Sequence, residues 1–585
     1  MSIPRPEHPK PQFERASWQN LNGSWAFEID NSRSGLARGL QEADAKLGGK
    51  ITVPFCPESE LSGVGNKDFM LGVWYQKKIE LTEENCAGRV FLHFGAVDYE
   101  ATVYVNGKLV GCHKGGFISF RMEVTDFVNV GTNVITVNAI DDSRDPLIPS
   151  GKQSPEYASF RCYYTRTTGI WQTVWLEFTP KDYVDYVKYD TDPETCSVMM
   201  TLDLVGCADL RAEVTYEGKI VGEIQVANAV GQLKLPVKLS EKHLWEPGHG
   251  RLYDVKLTYG EDTVKSYFGM RSLRLEGFKF LINEKSVFQR LILDQGFYPD
   301  GIYTAPSDEA LIHDIEMSME MGFNGARPHE KIFEERYLYH CDRLGYIVWG
   351  EYPNWGLYHT DPMSLYSILP EWLEELKRDY SHPAIVGWCP FNETWNKDGH
   401  RQYDDVLRMT YRVTKAVDPY RPCIDTSGNF HVETDIHDVH DYNQDPVTFK
   451  EHYDRLMTDG ELYEMLDEPA YNMRKADCAN RQHYTGGLAF VSEFGGIRWA
   501  EGENDESRRG SWGYGKNVLD EAEFKSRFQG LCDALLDNHC MFGFCYTQLT
   551  DVEQEQNGLY TYDRVAKFPA EWVRSVVARK AAIED

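Results

Sequence analysis

Nowhere does the 585-residue chain contain a run approaching the roughly 18 to 20 apolar residues that a membrane-spanning helix needs. Its opening segment, MSIPRPEHPKPQF, has no apolar stretch of the kind a secretion signal carries. Both absences point to a soluble, cytoplasmic protein with no membrane partner. Paired cysteines are missing as well. Thirteen Cys are scattered singly, without a Cys-x-x-Cys pair, so they read as reduced thiols and exclude a disulfide framework or a zinc site. No side-chain cluster has metal-ligand spacing, and the expectation is of no metal and no cofactor. Positive charge is scarce: 61 Lys plus Arg against 91 Asp plus Glu leave a net charge of −30, whose field repels phosphate backbones. That excludes nucleic acid as the expected partner. Low-complexity tracts and internal repeats are also absent. With 42% apolar and 26% charged residues, the chain is neither disordered nor collagen-like nor a coiled coil.

What is present is length, enough for about three to five domains, and aromatic side chains. The 14 Trp, 34 Tyr and 28 Phe suit stacking on sugar rings, although β-sandwich cores use them too. Residues 1–180 read as strands by their two-residue alternation, for example Ala101 to Val105 before the Asn106-Gly107 turn, and predict a jelly-roll β-sandwich. Residues 181–275 continue with about seven short strand-like runs, which fit an immunoglobulin-like β-sandwich. From residue 276 to 585 the texture changes. Eight short apolar runs, ending near Leu293, Ala326, Glu351, Phe391, Thr426, Tyr442, Glu493 and Thr547, alternate with helical patterns such as Asp308 to Met321. Eight such units predict a C-terminal (β/α)8 TIM barrel, with its site at the C-terminal ends of the strands. The stretch from Asn429 to Arg481 is polar and irregular.

Two of those strand ends carry a glutamate. Glu393 follows the fourth strand in Trp388-Cys-Pro-Phe-Asn-Glu-Thr-Trp395, and Glu493 ends the seventh in Phe490-Val-Ser-Glu493. A carboxylate beside an apolar strand is costly unless paired or functional, and two facing across one barrel mouth exceed what stability needs. Such a pair suits glycoside hydrolysis, with Glu493 attacking the anomeric carbon and Glu393 protonating the leaving oxygen. A retaining enzyme holds its two carboxyl groups about 5 to 5.5 Å apart. At that spacing the negative Glu493 is expected to raise the pKa of Glu393. Asn392 is placed to donate to the sugar 2-hydroxyl.

With these residues in view, the chain resembles glycoside hydrolase family 2, the β-galactosidase and β-glucuronidase family. The likeness spans Gly72-Val-Trp-Tyr75, Tyr164-Thr-Arg-Thr-Thr-Gly-Ile-Trp171, Leu244-Trp-Glu-Pro247, Phe268-Gly-Met-Arg271, Asn324-Gly-Ala-Arg-Pro-His329 and His382-Pro-Ala-Ile-Val-Gly-Trp388. It implies Glu393 as acid/base, Glu493 as nucleophile and Asn392 as the 2-hydroxyl partner. Where the family places a Trp under the sugar after the eighth strand, this chain has Tyr546. His329 lies in Arg327-Pro-His-Glu-Lys331, which departs from the family pattern. The Asn-x-Lys motif that grips a uronate in β-glucuronidases is missing, with Arg564 or Lys567 as substitutes.

Further substrate-binding candidates are His440 and Tyr442 at the sixth strand end, and Trp355 and Trp395 after the third and fourth. The loop Ser150-Gly-Lys-Gln-Ser154 is small and polar enough to reach over the barrel mouth, with a plain surface loop the preferred reading of any one of its residues, and Asp551, Glu553 and Glu555 read as a solvated acidic run. The reading is of a retaining exo-β-glycosidase acting on terminal β-linked sugars, β-galactosides first, with a β-uronidase as the alternative and a non-catalytic carbohydrate-binding protein as the rival of another class. A carbohydrate is the expected partner, and self-association into a homo-oligomer is compatible with the sequence.

Overall fold

The computed structural model describes residues 3–394, 402–428, 430–464, 481–500 and 511–584. The first body is built on two main antiparallel sheets, with a short antiparallel pair, Val97–Asp98 with Gly169–Ile170, beside them. A four-stranded sheet runs in the order Trp18–Asn20, Val174–Thr179, Arg89–Phe94, Phe120–Glu123. A six-stranded one runs Gly49–Val53, Gly23–Ile29, Val73–Leu81, Gly131–Ile140, Glu100–Val105, Lys108–Lys114. Alternate side chains of both sheets, including Leu92, Phe94 and Leu176 from one and Tyr75, Val103 and Val137 from the other, share a single apolar core.

A five-stranded antiparallel sheet follows. Its two longest strands, Ser197–Tyr216 and Lys219–Lys238, shift register near Leu204 and Ala208. The seven short runs read from the sequence are thus five strands, two of which bend at bulges.

The third body is a curled, all-parallel sheet of β1 (Gln289–Asp294), β2 (Gly325–Pro328), β3 (Ile347–Glu351), β4 (Ile385–Cys389), β5 (His437–Asp441), β6 (Ala489–Gly495) and β7 (Met541–Thr547), in the order β4-β3-β2-β1-β7-β6-β5. Helices α1 (Asp308–Glu320), α2 (Glu335–Leu344), α3 (Leu365–Asp379), α4 (Asp404–Val417), α5 (Pro446–Thr458), α6 (Glu521–Leu536) and α7 (Ala570–Val577) follow or separate these strands. Every residue of β1 through β7 is buried, as expected for strands covered on both faces.

One of the eight expected strands differs. The segment 422–427 is not a ladder strand: it meets β4 and its continuation through isolated bridges, Trp388 with Cys423 and Asn392 with Ser427. On its other side it reaches β5 by side chains, with Ser427 Oγ donating to Asp438 Oδ2 at 2.7 Å and Gly428 N donating to the same atom. Polar residues here replace the backbone ladder that an apolar strand would supply. Within the stretch read as irregular lies α5, which Asp445 caps by accepting from Thr448 N.

The N-terminal segment crosses all three bodies. Arg5 donates to Glu334 ahead of α2, Gln12 to the carbonyls of Tyr267 and Ser381, and Arg15 to Asp262, with Glu177 a further 3.0 Å partner.

Candidate active site

The parallel sheet gathers ionisable side chains at one end. Arg327 stands in β2, Glu351 ends β3, His440 lies in β5 and Glu493 in β6, while Asn392 and Glu393 follow β4. The β5–β6 register shifts between Val439 and His440, and the β6–β7 register between Val491 and Phe494. Such irregularities re-aim side chains, here His440 and Glu493. Glu393 adopts a left-handed backbone, φ 48°, held by a hydrogen bond from its N–H to the Ser427 carbonyl at 2.9 Å. A non-glycine residue in this region is strained, which marks the position for its side chain rather than its backbone.

Glu393, His440 and Glu493 each place a carboxylate oxygen or ring nitrogen within 4.8 Å of the other two. Buried Arg327 organises the rest. Its guanidinium donates to Glu351, to Glu493 Oε1 at 2.9 Å and to Asn392 Oδ1 at 2.6 Å. Tyr442 donates to the other Glu493 oxygen at 2.5 Å, lies 3.1 Å from Thr547 Oγ1, and stacks on Tyr514 with ring centroids 3.4 Å apart. Both oxygens of Glu493 are thereby fixed. Asn392 exchanges hydrogen bonds with Asn354, at 2.6 Å through its N–H and 3.0 Å through its carbonyl, and its buried Nδ2 has no partner among the described residues. That orphaned donor is free for a ligand hydroxyl.

The expected rise in the pKa of Glu393 does not occur. Burial pushes it up, but the hydrogen bond from His440 Nδ1 at 2.8 Å, the His440 charge, Lys152 and Arg327 more than offset that, and it sits below the ordinary value. His440 moves the opposite way: desolvation lowers it, and Glu493 and Glu393 raise it above its usual value. Both shifts favour the ion pair of a charged His440 with an ionised Glu393. Repulsion from Glu493, on which the expectation rested, is blunted because Arg327 already neutralises that carboxylate.

His329 donates or accepts through Nδ1 at Glu351 Oε1, 2.8 Å away, and its Nε2 lies 3.7 Å from Glu493 Oε1. Desolvation, with Lys152 and Arg327 nearby, holds it neutral. Trp355 reaches the site rim, donating to the Asn392 carbonyl at 3.3 Å. Trp395 lies outside the described residues. Tyr546 is not a sugar floor: its ring packs against Phe528 of α6 and Phe494, on the helix side of the sheet. Strand alternation explains the difference, since Thr547, one residue on, is the side chain that meets Tyr442. Arg564 is held by Asp314 and Lys567 by Asp551, so neither faces a substrate. Asp551 and Glu555 are buried rather than solvated. Glu555 accepts from Tyr164 at 2.5 Å and from Asn557, and burial raises its pKa to about 7.

Three contributors escaped the sequence reading. Arg327 and Glu351 are ionisable groups at strand ends, the same signal that identified Glu393 and Glu493. Lys152 sits in the loop read as surface yet is 4% exposed. The sequence offered this loop as one able to reach the barrel mouth, but not which of its residues would face the site. Among the described residues, Glu393, His440 and Glu493 are the group whose spacing could hold a metal ion, although Arg327 already supplies a cation to Glu493.

Comparison with known proteins gives two family models on this chain: "Glycosyl hydrolases family 2, sugar binding domain" over residues 18–180 and "Glycosyl hydrolases family 2" over residues 182–271. The chain is 28% identical to the β-glucuronidase of Sus scrofa, over 69% of this chain and 67% of that one. It is 25% identical to the β-galactosidase of Thermoanaerobacter pseudethanolicus, over 60% of this chain. It spans about half the length of that protein and of a relative in Formosa agariphila, 48% and 50%. The fold superposes on the crystal structure of Ruminococcus gnavus β-glucuronidase with a TM-score of 0.78 at 18% identity, covering 99% of both chains.

Proposed function

Because the chain belongs to glycoside hydrolase family 2, we propose that it is a retaining exo-β-glycosidase. The observation that carries this reading is the close approach of Glu393 and Glu493 at the strand ends, each with a different electrostatic partner. Glu493 attacks the anomeric carbon, its oxygens held by Arg327 and Tyr442. The proton for the leaving oxygen resides in the Glu393–His440 hydrogen bond and passes through Glu393. Esterification then removes the charge of Glu493, and Glu393 takes a proton from the incoming water. Asn392 Nδ2 is aimed to bond the 2-hydroxyl, an interaction that strengthens as the oxocarbenium ion forms.

Two glycones compete, a galactoside and a uronide, and relatives named for each support both. The described cysteines are all free thiols, which supports a reducing compartment such as the cytoplasm. Glu493→Gln should lower kcat by about 10⁴-fold or more on any accepted nitrophenyl β-glycoside. An NMR time course should show the β-anomer as first product. Full activity in the variant would end the reading, and an α-anomer would end the retaining mechanism.

A further inference from the structure

The loop 150–154 of the first body is clamped onto the rim of the parallel sheet. Ser150 N and Gly151 N both donate to the Trp355 carbonyl, at 2.7 and 3.1 Å. Gly151 has φ +55°, and a Cβ there would stand 2.3 Å from the Glu330 carbonyl oxygen, so the close approach requires glycine. Tyr164 N donates to the Lys152 carbonyl at 2.8 Å, and Gln153 is tied to Asp98 and to Thr167 N. The backbone on both sides of Lys152 is therefore fixed.

Its ammonium lies 3.5 Å from the centroid of the Trp355 ring. No hydrogen bond or ion pair engages it among the described residues. Burial lowers its pKa, but the neighbouring acidic groups, Glu393 and Glu493 among them, more than offset that and hold it above the ordinary lysine value. Among the described residues, other cations around the mouth are committed: Arg327 to Glu351 and Glu493, Lys331 to the carbonyls of Gly296 and Tyr303, Arg166 to four backbone carbonyls, Arg564 to Asp314 and Lys567 to Asp551. A charged ammonium on a buried residue close to the reacting carboxylates, without an ion-pair partner among the described residues, is half of an ion pair that a ligand can complete.

Resting on the β-glycosidase reading above, we propose that Lys152 binds an oxyanion carried by the glycone, so that the first body, rather than the barrel, selects acidic sugars. A uronate carboxylate or a sulfate ester would supply that oxyanion. Lys152 also answers the electrostatic problem such a substrate faces. With a net charge of −30 and two carboxylates in the site, an anionic glycone needs a local cation to be captured at all.

The test uses the full chain with nitrophenyl β-glucuronide, β-galacturonide and 6-sulfo-β-galactoside against the neutral β-glucoside and β-galactoside. At least one acidic substrate should exceed its neutral counterpart in kcat/KM by about tenfold or more, and which one does identifies carboxylate or sulfate. Lys152→Gln should cut that ratio by about 100-fold, mainly through KM, and Lys152→Arg should recover part of it. A ratio unchanged in Lys152→Gln, or a neutral sugar preferred by the wild type, overturns the proposal. If only neutral glycosides are hydrolysed, the proposal falls while the β-glycosidase reading stands; if none is, both fall. Should Lys152→Gln fail to fold, inhibition of the wild type decides: glucuronate, galacturonate or galactose 6-sulfate must inhibit more strongly than glucose and galactose.

Discussion

Strand Tyr253–Tyr259 of the second sheet and strand β5 of the parallel sheet meet charge in opposite ways. The first alternates buried and exposed residues and points Asp254 and Lys256 at water. The second is buried along its length, although four of its five residues, His437, Asp438, His440 and Asp441, are ionisable. In the first, a charged residue says only that one face of the sheet is wet. In β5 His437 is held neutral by burial, and the other three are matched. Asp438 accepts from Ser427, Gly428 and Ser492, Asp441 from Tyr453 with His452 at 2.8 Å, and His440 is paired with Glu393. Ionisable groups crowd a doubly covered strand only where the protein has a use for them.

Four substitutions sharpen the contrast. Glu393→Ala at the parallel sheet should lower kcat/KM on substrates with poor leaving groups by about 10³-fold, spare activated nitrophenyl glycosides relative to these, and be partly rescued by azide. Unimpaired turnover of a poor leaving group would remove Glu393 from the chemistry. Next, Arg327→Met would strand the buried carboxylates of Glu351 and Glu493, and chemical denaturation should show a loss of about 3 to 5 kcal/mol. A stability within about 0.5 kcal/mol of wild type would mean that the network can rearrange. The smallest effects belong to the second sheet: Leu257→Ala, fully buried, should cost about 2 to 4 kcal/mol with kcat preserved. Lys256→Ala on the same strand should stay within about 0.5 kcal/mol. A kcat loss from Leu257→Ala would show that the sheets do not separate stability from catalysis.

The same contrast explains what could be read from the sequence. Alternation marked the sandwich strands because burial there is one-sided, and Ala101 to Val105 shows it residue by residue. Apolar runs marked most of the parallel strands because both of their faces are covered, β5 with its four ionisable residues being the exception. The run at 422–427 misled because its neighbours are joined by Ser427 and Asp438 side chains, which have no periodicity. Glu393 and Glu493 stood out as charges against apolar strands. Tyr546 failed because a strand's face changes with each residue, so a one-position error moves a ring from the site to the helix layer. Lys152 was hidden for another reason: its role depends on contacts between residues 150–154 and 330–355, and no local pattern encodes a distance of some 200 positions.

The N-terminal strap has a consequence for how the chain is made. Arg5, Gln12 and Arg15 are synthesised well before their partners, which include Glu334, Tyr267, Asp262 and Ser381. During synthesis the segment therefore has to wait, solvated and unpaired, until roughly two-thirds of the chain has followed it. Its closure is a late event that reports arrival of the third body, and a protease able to cut the first fifteen residues would distinguish nascent from finished molecules.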